Sequence, residues 1–368
     1  MIQPQNLFII NNEYKYFTNN VLYENSKNII YMGNLLNNPE KNFNIAIKTE
    51  NIHSKTSKIK SEYEIYNYLN DNNLNIGIPK FYNFTSIEIC KETFKNYLII
   101  QLLGHNLKQL FELSFYNFIP LATFNIILKI IDIIKNLHDN KLIYRNIHPS
   151  HFLYERKITT DLIPTILDKH KTLNIETSNE LYCIDYSLAK FYIDKNTKKH
   201  IEFKDNENEI GNVDFASVWS LLGNRQSRRD DLESIFYLLI YFLRGKLPWE
   251  DIKGKNKNDL NKKKKLSKIS LSIFEICKNV ALLFQDDCIQ LLNYIRNLEF
   301  NEEPKYDYVK NIINEMKKKF IFYNNNNKNL VGYIIINDFT NKNLRRNNKD
   351  DDEKVKLKKN KNGYVFIH

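Results

Sequence analysis

The segment Ser234–Leu243 reads Ser-Ile-Phe-Tyr-Leu-Leu-Ile-Tyr-Phe-Leu, and a helix over these residues is apolar on all sides. Such a helix has no polar face to present to water, so it lies inside a core. A bilayer span is excluded, because the sequence contains no apolar run of 18 residues. The sequence therefore predicts a large lobe in which other helices surround this segment.

Length and composition allow a core of this size. The chain has 368 residues, 42% of them apolar, which suits one large two-lobed domain or two ordinary domains. From about residue 104 the pattern is helical. The predicted helices besides the central one are Leu121–Leu137, Ile269–Phe284, Cys288–Leu298 and Tyr308–Phe322.

The first hundred residues show strand patterns instead. Short apolar or alternating runs predict strands at Val21–Tyr23, Ile29–Met32, Phe43–Lys48 and Tyr97–Ile100. Between them a helix is predicted at Thr56–Leu69. Its apolar face comprises Ile59, Tyr63, Tyr66 and Leu69. The fold class is therefore α+β, with a small β-rich lobe before a large α-rich lobe.

Cysteine usage and the N-terminus indicate an intracellular protein, either cytoplasmic or nuclear. Cys90, Cys183, Cys277 and Cys288 show no CxxC pairing, so they are interpreted as reduced core thiols. Met1–Asn12 is too polar for a signal peptide. The run Lys262–Lys265 fits a solvated loop better than a nuclear address.

The net charge of +11 is concentrated in residues 253–268 and 342–361. Basic patches attract nucleic acid, acidic proteins or anionic lipid. Solvated lysines are the interpretation we favour, and nucleic-acid binding through residues 253–268 stays open as an alternative.

Polar side chains that could take part in catalysis or ligand binding occur between two apolar pairs at Leu142–Leu153. The run Leu-Ile-Tyr-Arg-Asn-Ile-His-Pro-Ser-His-Phe-Leu predicts a short strand, a tight loop and a second strand. Loops of this kind hold polar groups at a fixed place on a rigid scaffold. A second such place is Leu181–Lys190, where Asp185 follows an apolar strand.

These stretches resemble the catalytic loop and the metal-binding turn of protein kinases. The segments Gln226–Ser234, Leu247–Trp249 and Leu298–Tyr308 resemble the casein kinase 1 family in register. The resemblance covers residues 13–322 and implies a kinase fold with lobes at about 13–103 and 104–322. Residues 1–12 are then an extension, 155–180 an insertion, and 323–368 a low-complexity tail expected to be disordered.

The resemblance also implies a nucleotide site for ATP. Lys48 matches the lysine that holds the phosphates, and Glu62 matches its ion-pair partner. Gln101 and Leu103 are assigned to the same site. The phosphate-covering loop has lost its glycines; the positions that replace them are Tyr23, Asn25 and Asn28. Because glycine lets the backbone approach phosphate closely, we expect weak ATP binding.

The catalytic and metal positions are altered as well. Asp185 matches the metal-binding aspartate, but His151 replaces its asparagine partner, and imidazole is a poor ligand for Mg²⁺. Asn146 replaces the catalytic aspartate and cannot accept a proton, which removes about 10²- to 10⁴-fold of rate. His148 replaces a lysine and is expected to be partly neutral at pH 7.

The residues around the substrate site differ in a similar way. In Gly211–Ser217, Asp214 takes the place of an anion-binding arginine and would repel phosphate. Arg228 and Arg229 are interpreted as structural, through pairing with acidic neighbours. Asp231 is predicted to anchor the backbone of the catalytic loop from the central helix.

The motifs that build the fold thus match the family pattern more closely than the motifs that carry catalysis. The sequence favours a pseudokinase that acts as a scaffold or regulator of a protein partner, for which an active kinase is one candidate. The alternative is an active Ser/Thr kinase with non-standard catalytic residues. A transition-metal site formed by His148, His151 and Asp185 is the weaker interpretation of the histidines, and the oligomeric state is left open.

Overall fold

The computed structural model describes the chain over residues 7–25, 28–36, 44–50, 57–90, 93–156, 180–326, 357–359 and 365–367. The predicted insertion and tail lie mostly outside these residues, as do Phe43 and Thr56. Within the described ranges a small sheet-based lobe precedes a larger helical lobe. The predicted α+β class is therefore confirmed.

The small lobe is built on an antiparallel sheet of six strands. They are β1 (Leu7–Ile10), β2 (Tyr14–Glu24), β3 (Asn28–Leu35), β4 (Ile45–Glu50), β5 (Phe81–Cys90) and β6 (Thr93–Gln101). Their order in the sheet is β1-β2-β3-β4-β6-β5. The strand β1 comes from within the predicted N-terminal extension and pairs with β2. The central strands β4 and β6 place apolar residues on both faces, which is why both faces of the sheet are covered.

One helix packs against this sheet. It is α1 (Lys58–Asp71), and its first turn is capped by Ser57, whose hydroxyl accepts a hydrogen bond from the Lys60 amide. Glu50, at the end of β4, accepts hydrogen bonds from the Ile59 amide and from the Ser57 hydroxyl. The helix start is therefore tied to a sheet strand, which fixes which residues of α1 face inward.

The large lobe contains eight of the helices in the described residues. They are α2 (Leu107–Leu113), α3 (Pro120–Asp139), α4 (Val218–Leu221), α5 (Arg228–Arg244), α6 (Lys257–Ser270), α7 (Ile273–Cys277), α8 (Leu282–Arg296) and α9 (Tyr306–Asn326). The helix α3 packs against α5 and α9. All residues of α5 from Arg229 to Phe242 are buried, which confirms the predicted burial of the apolar run except at its last residue, Leu243, which is half-buried.

Short strands connect the lobes and frame the loops. They are β7 (Leu103–Asn106), β8 (Leu142–Ile143), β9 (Phe152–Glu155), β10 (Leu181–Cys183) and β11 (Lys190–Phe191). They form a three-stranded sheet of β10, β9 and β7 and a pair of β11 with β8. Two strands near the C-terminus, β12 (Leu357–Lys359) and β13 (Val365–Ile367), also pair with each other.

The prediction of one helix over Ile269–Phe284 was wrong. The chain instead forms the end of α6, all of α7 and the start of α8, with breaks around Leu271 and around Asn279. Asn279 has a φ of 69°, a left-handed conformation that a continuing helix cannot contain. Ser272 and Glu275 form a capping box, so α7 begins independently of α6.

Candidate functional site

The charged centre of the site joins β4, α1 and the turn after β10. The Lys48 Nζ lies 2.6 Å from the Glu62 Oε2 and 2.9 Å from the Asp185 Oδ1. Glu62 lies on the buried face of α1, one turn from Ile59 and Tyr66, which explains how a carboxylate reaches the interior of the sheet lobe. The structure therefore brings together three of the predicted site residues.

These contacts govern the protonation of both partners. Burial alone would lower the pKa of Lys48, but the charges of Glu62 and Asp185 outweigh burial and raise that pKa above its usual value. Burial would raise the pKa of Asp185, but the charge of Lys48 and the hydrogen bond from Lys48 hold it well below its usual range. The Lys48 ammonium therefore lies against an ionised Asp185, whereas burial raises the pKa of Glu62 to about 7 in spite of that ammonium.

A strained turn presents Asp185. Its φ is 60°, in the left-handed region that aspartate tolerates better than most residues. The following Tyr186 is fully buried and packs edge-on against Tyr66 of α1 and Tyr144 of the catalytic loop. Its hydroxyl donates a hydrogen bond to the Cys183 carbonyl at 3.1 Å. These aromatic contacts keep the turn against α1, and so keep Asp185 beside Lys48.

Asp231 on α5 anchors the backbone of the catalytic loop. The amides of Tyr144 and Arg145 donate to the two carboxylate oxygens of Asp231 at 2.7 and 2.8 Å. The His138 Nε2 lies 2.9 Å from one of those oxygens. Arg145 has a φ of 63°, so the loop turns sharply at this point. The predicted anchoring role of Asp231 is confirmed.

Asn146 lies at the position expected for the catalytic base and points at Asp185. Its Nδ2 donates to the Asp185 Oδ2 at 3.1 Å. The Asn146 amide and the Lys48 ammonium therefore engage the two different oxygens of one carboxylate. An amide has no basic lone pair, so this side chain can orient the cleft but cannot accept a substrate proton.

The two histidines of the loop have different surroundings. His151 faces Asp185, with its Nε2 3.7 Å from the Asp185 Oδ2 and its Nδ1 2.9 Å from the Asn146 carbonyl oxygen. The His148 Nδ1 accepts from the Ser150 amide, and its ring packs edge-on against Phe215. Burial lowers the pKa of His148 to about 3, and burial also lowers the pKa of His151. Both imidazoles are therefore neutral at pH 7.

The described residues contain no cluster of three or more His, Cys, Asp or Glu side chains suited to a metal ion. The weaker interpretation of His148, His151 and Asp185 as one such site is therefore wrong. The Nδ1 of His148 is occupied by the Ser150 amide, as described above. Its ring packs edge-on against Phe215.

The loop that would cover phosphates is a tight hairpin. The strands β2 and β3 stay paired as far as Glu24 and Ile29. The Asn28 amide donates to the Asn25 Oδ1 at 2.8 Å, and the Asn25 Nδ2 donates to the Tyr23 hydroxyl at 2.9 Å. Tyr23 is 52% exposed. The side chains of Tyr23 and Asn25 therefore lie at the loop where glycines would leave the backbone accessible to phosphate.

Gln101 and Leu103, which the sequence assigns to the nucleotide site, are held by backbone contacts. The Gln101 Oε1 accepts from the Lys80 amide at 3.1 Å. Leu103 is buried and pairs with Glu155, which joins β7 to β9. Both positions lie where the six-stranded sheet ends and the large lobe begins.

Two lysines of the basic segment turn out to be buried rather than solvated, and the run Lys262–Lys265 lies in α6 rather than in a loop. The Lys264 Nζ is 2.8 Å from the Asp214 Oδ1. Lys268 is 0% exposed, and its Nζ donates to the carbonyls of Asp214 at 3.0 Å and Ala216 at 2.5 Å. The expectation of solvated lysines was therefore wrong at these two positions.

The Lys268 ammonium also lies on two aromatic rings. Its Nζ is 3.9 Å from the ring centre of Tyr237 and 4.5 Å from that of Trp249. Burial lowers its pKa well below the usual value. Sequence reasoning missed this residue, and the only available signal was its spacing of four from Lys264, which places both on one helix face.

The arginines of α5 have structural partners, as predicted, although the partners are mainly not acidic. Arg228 donates to the Asn301 carbonyl and stacks on Tyr192, with Glu303 at 3.9 Å. Arg229 donates to the Leu298 carbonyl at 2.7 Å. Both arginines therefore join α5 to other parts of the large lobe.

Comparison with known proteins agrees with this geometry. No family model matches the chain. It is 32% identical to casein kinase I homolog 2 of Schizosaccharomyces pombe over 316 residues, which is 86% of this chain and 65% of that protein. It is 32% identical to casein kinase I homolog 3 of Saccharomyces cerevisiae over 331 residues, which is 85% of this chain and 61% of that protein.

A shorter relative is matched over more of its length. The chain is 28% identical to a protein named probable casein kinase I homolog in Encephalitozoon cuniculi, over 76% of this chain and 82% of that protein. By contrast, the chain spans less than two thirds of the two yeast proteins.

The two-lobed architecture, with Lys48, Glu62 and Asp185 joined across the cleft, defines a protein kinase fold. Among kinases, the chain belongs to the casein kinase I family. No helix among the described residues is both long and apolar enough to cross a membrane.

Proposed function

We propose that this chain is a casein kinase I-type domain with impaired phosphoryl transfer, acting as a scaffold or regulator of a protein partner. The observation that carries the proposal is the Asn146 amide, which donates to the Asp185 Oδ2 at 3.1 Å. Phosphoryl transfer to a hydroxyl needs a carboxylate that orients the hydroxyl and accepts its proton. An amide held against the metal-binding carboxylate offers neither function.

The cleft suits a nucleotide better than it suits magnesium. Lys48 is fixed by Glu62 at 2.6 Å and offers a cation that would hold phosphates, while ATP would supply the transferable group. The side-chain-rich hairpin at Tyr23 would keep the affinity low. Magnesium prefers oxygen ligands, whereas Asp185 meets an ammonium, an amide donor and an imidazole. The residues present do not fit a Mg²⁺ pair.

His148 removes a further catalytic contribution. At the position of the family's lysine it is half-buried, with a pKa lowered to about 3 by desolvation, and so it is neutral at pH 7. It therefore adds no positive charge where charge develops on the transferring group. Losses along one reaction path combine, although not additively.

The second candidate is an active Ser/Thr kinase with non-standard catalytic residues. It is favoured by the assembled contacts of Lys48 with Glu62 and Asp185. Under this alternative, the hydroxyl would be oriented by the cleft without a full general base. Asn146→Asp would then raise an existing turnover rather than create one.

Transfer of labelled phosphate from ATP to a casein-like protein decides between them. For the scaffold we expect no incorporation above that of Lys48→Met and Asp185→Asn. The matched control is Lys60→Met, an exposed lysine of α1. Incorporation that survives Lys60→Met and disappears in both cleft variants would refute the pseudokinase and establish the second candidate.

The domain boundaries are proposed as predicted, with a kinase domain at about 13–322. Protein partners are favoured over nucleic acid, because Lys264 and Lys265 of the basic segment pair with Asp214 and Glu209. An intracellular location, cytoplasmic or nuclear, remains part of the proposal.

A further inference from the structure

A row of aromatic rings leads from the catalytic loop to the end of α5. The ring centres of His148 and Phe215 lie 5.2 Å apart, and those of Phe215 and Tyr241 lie 5.6 Å apart. Phe111 of α2 also packs on Tyr241, at 4.8 Å. A surface next to Tyr241 is therefore a close neighbour of the catalytic loop.

The Tyr241 ring is held by packing, while its hydroxyl is not used by the fold. The side chain is 6% exposed, and its hydroxyl forms no hydrogen bond to another residue in the part of the chain that the structure describes. A tyrosine hydroxyl can both donate and accept a hydrogen bond. Tyrosines with a packed ring and an available hydroxyl are typical of binding surfaces.

Three carboxylates from separate parts of the chain surround this hydroxyl. They belong to Glu112 at the end of α2, Asp214 and Glu250. Burial raises the pKa of Tyr241 above its usual value, and the negative charges of Glu250, Glu112 and Asp214 raise it further. The Trp249 Nε1 donates to the Asp214 carbonyl at 3.1 Å, which ties the turn that carries Glu250 to Asp214. The hydroxyl therefore faces a negative surface.

The three carboxylates retain capacity to bind a cation. The Lys108 Nζ is 3.7 Å from the Glu112 Oε1, but the two side chains are 49% and 42% exposed, so this pair contributes little. Glu250 accepts a backbone amide with its Oε2 and forms no ion pair with a described residue. Lys264 contacts only the Oδ1 of Asp214. One oxygen of each carboxylate is therefore left for a guest.

Exposed aromatic rings flank these carboxylates. Phe115 is 79% exposed and Tyr116 is 48% exposed. The Tyr116 ring packs edge-on against Phe111, and a β-carbon at Gly245 would lie 3.0 Å from the Tyr116 carbonyl oxygen. The turn between α2 and α3 therefore lies against the end of α5. Aromatic faces attract cations, and they attract arginine in particular.

We propose that the Tyr241 surface, formed by Glu112, Asp214, Glu250 and Tyr241, binds a basic side chain of the protein partner, with arginine preferred to lysine. The planar guanidinium donates five hydrogen bonds, meets carboxylates in pairs and stacks on aromatic rings. The inference rests on the proposed function and names the class of partner, a segment that carries arginine rather than acid or phosphate. The expected repulsion of phosphate by Asp214 points the same way.

Peptide binding to the full chain tests the proposal. The probes are labelled serine peptides of equal length whose flanking residues are arginine, glutamine or glutamate, and binding is followed by fluorescence anisotropy without ATP. The chain carries a net charge of +11, so unspecific charge effects favour the glutamate peptide. We expect the arginine peptide instead to bind at least about tenfold more tightly than the glutamate peptide.

Variants locate the binding surface. Glu112→Gln should weaken binding of the arginine peptide about three- to tenfold and leave binding of the glutamine peptide unchanged. Tyr241→Phe should also weaken it, because the hydroxyl is lost. The matched control is Glu315→Gln, which removes an exposed glutamate of α9 that pairs with Lys318 and should change nothing. If Tyr241→Phe fails to fold, the exposed position Glu112 still decides.

Several results would overturn the proposal. They are tighter binding of the glutamate peptide, equal binding of the three peptides, and no binding of any peptide. A preference for arginine that persists in Glu112→Gln, or that Glu315→Gln weakens equally, would also overturn it. Phosphate incorporation is scored separately, so the pseudokinase can fail while the preference for arginine holds, and the reverse.

Discussion

Asp231→Asn tests whether the catalytic loop depends on one buried carboxylate. The side chain is 1% exposed and accepts from the Tyr144 and Arg145 amides at 2.7 and 2.8 Å, with the His138 Nε2 at 2.9 Å. Asparagine is nearly isosteric, so the change removes charge and one acceptor without leaving a cavity. In its best orientation the new amide nitrogen would face the Arg145 amide, donor against donor.

The cost follows from these contacts. One charge-assisted hydrogen bond is lost, worth about 1.5 to 3 kcal/mol, and a buried amide is left unpaired at about 1 to 3 kcal/mol. The two surviving bonds weaken because the acceptor is no longer charged. We expect a total of about 3 to 5 kcal/mol, in line with breaking other buried charged contacts. In a domain of this size that lowers the melting midpoint by about 6 to 15 °C.

The assay combines a melting curve with amide hydrogen exchange. The matched control is Asp132→Asn, whose carboxylate is 49% exposed and pairs with Lys310 on the surface. Such a pair contributes less than about 1 kcal/mol. Exchange should rise at Tyr144 and Arg145 in Asp231→Asn alone. A midpoint for Asp231→Asn equal to that of Asp132→Asn, with unchanged exchange at both amides, would refute the anchoring argument.

Two further predictions concern the other buried charges. Lys268→Met should destabilise the fold by about 3 to 5 kcal/mol, because it leaves the Asp214 and Ala216 carbonyls without their hydrogen-bond donor. The control Lys262→Met changes an exposed lysine and should cost less than about 0.5 kcal/mol. Equal urea midpoints for the two variants would contradict this prediction. Asp185 has a depressed pKa in the folded state, so it stabilises the fold above its unfolded pKa, and that contribution is lost as the pH falls below about 5. Asp185→Asn should therefore lose less stability than the unchanged chain between pH 5 and pH 2 in urea titrations, and parallel curves would count against the ion pair with Lys48.

Residues whose role depends on local pattern could be predicted from the sequence. The resemblance to kinase motifs identified Lys48 and Glu62, which lie on β4 and α1, and the apolar run of α5 gave a buried helix. Asp231 could be assigned because it lies on that helix. Each of these predictions used a period or a motif within one element, which a sequence states directly.

Residues whose role depends on packing against distant parts of the chain could not be predicted from the sequence. Lys268 looks like its lysine neighbours, and its burial arises only because Tyr237 and Trp249, from earlier parts of the chain, form a surface for its ammonium. The tautomer of His151 depends on the backbone carbonyl of Asn146, which no side-chain pattern reports. The break between α6 and α7 did carry a local signal, since Ser272 and Glu275 have capping-box spacing, but an apolar count alone overlooks it.

The exchange of a carboxylate for an amide at Asn146 has an electrostatic consequence beyond the lost base. An aspartate at this position would bring a second negative charge to about the distance at which the Asn146 Nδ2 now contacts Asp185, 3.1 Å. Two carboxylates that close repel each other unless a cation lies between them. With Asn146, the same contact is attractive, and Lys48 balances the remaining charge at the other oxygen of Asp185. The cleft can therefore stay assembled without a metal, which is consistent with the scaffold role proposed above.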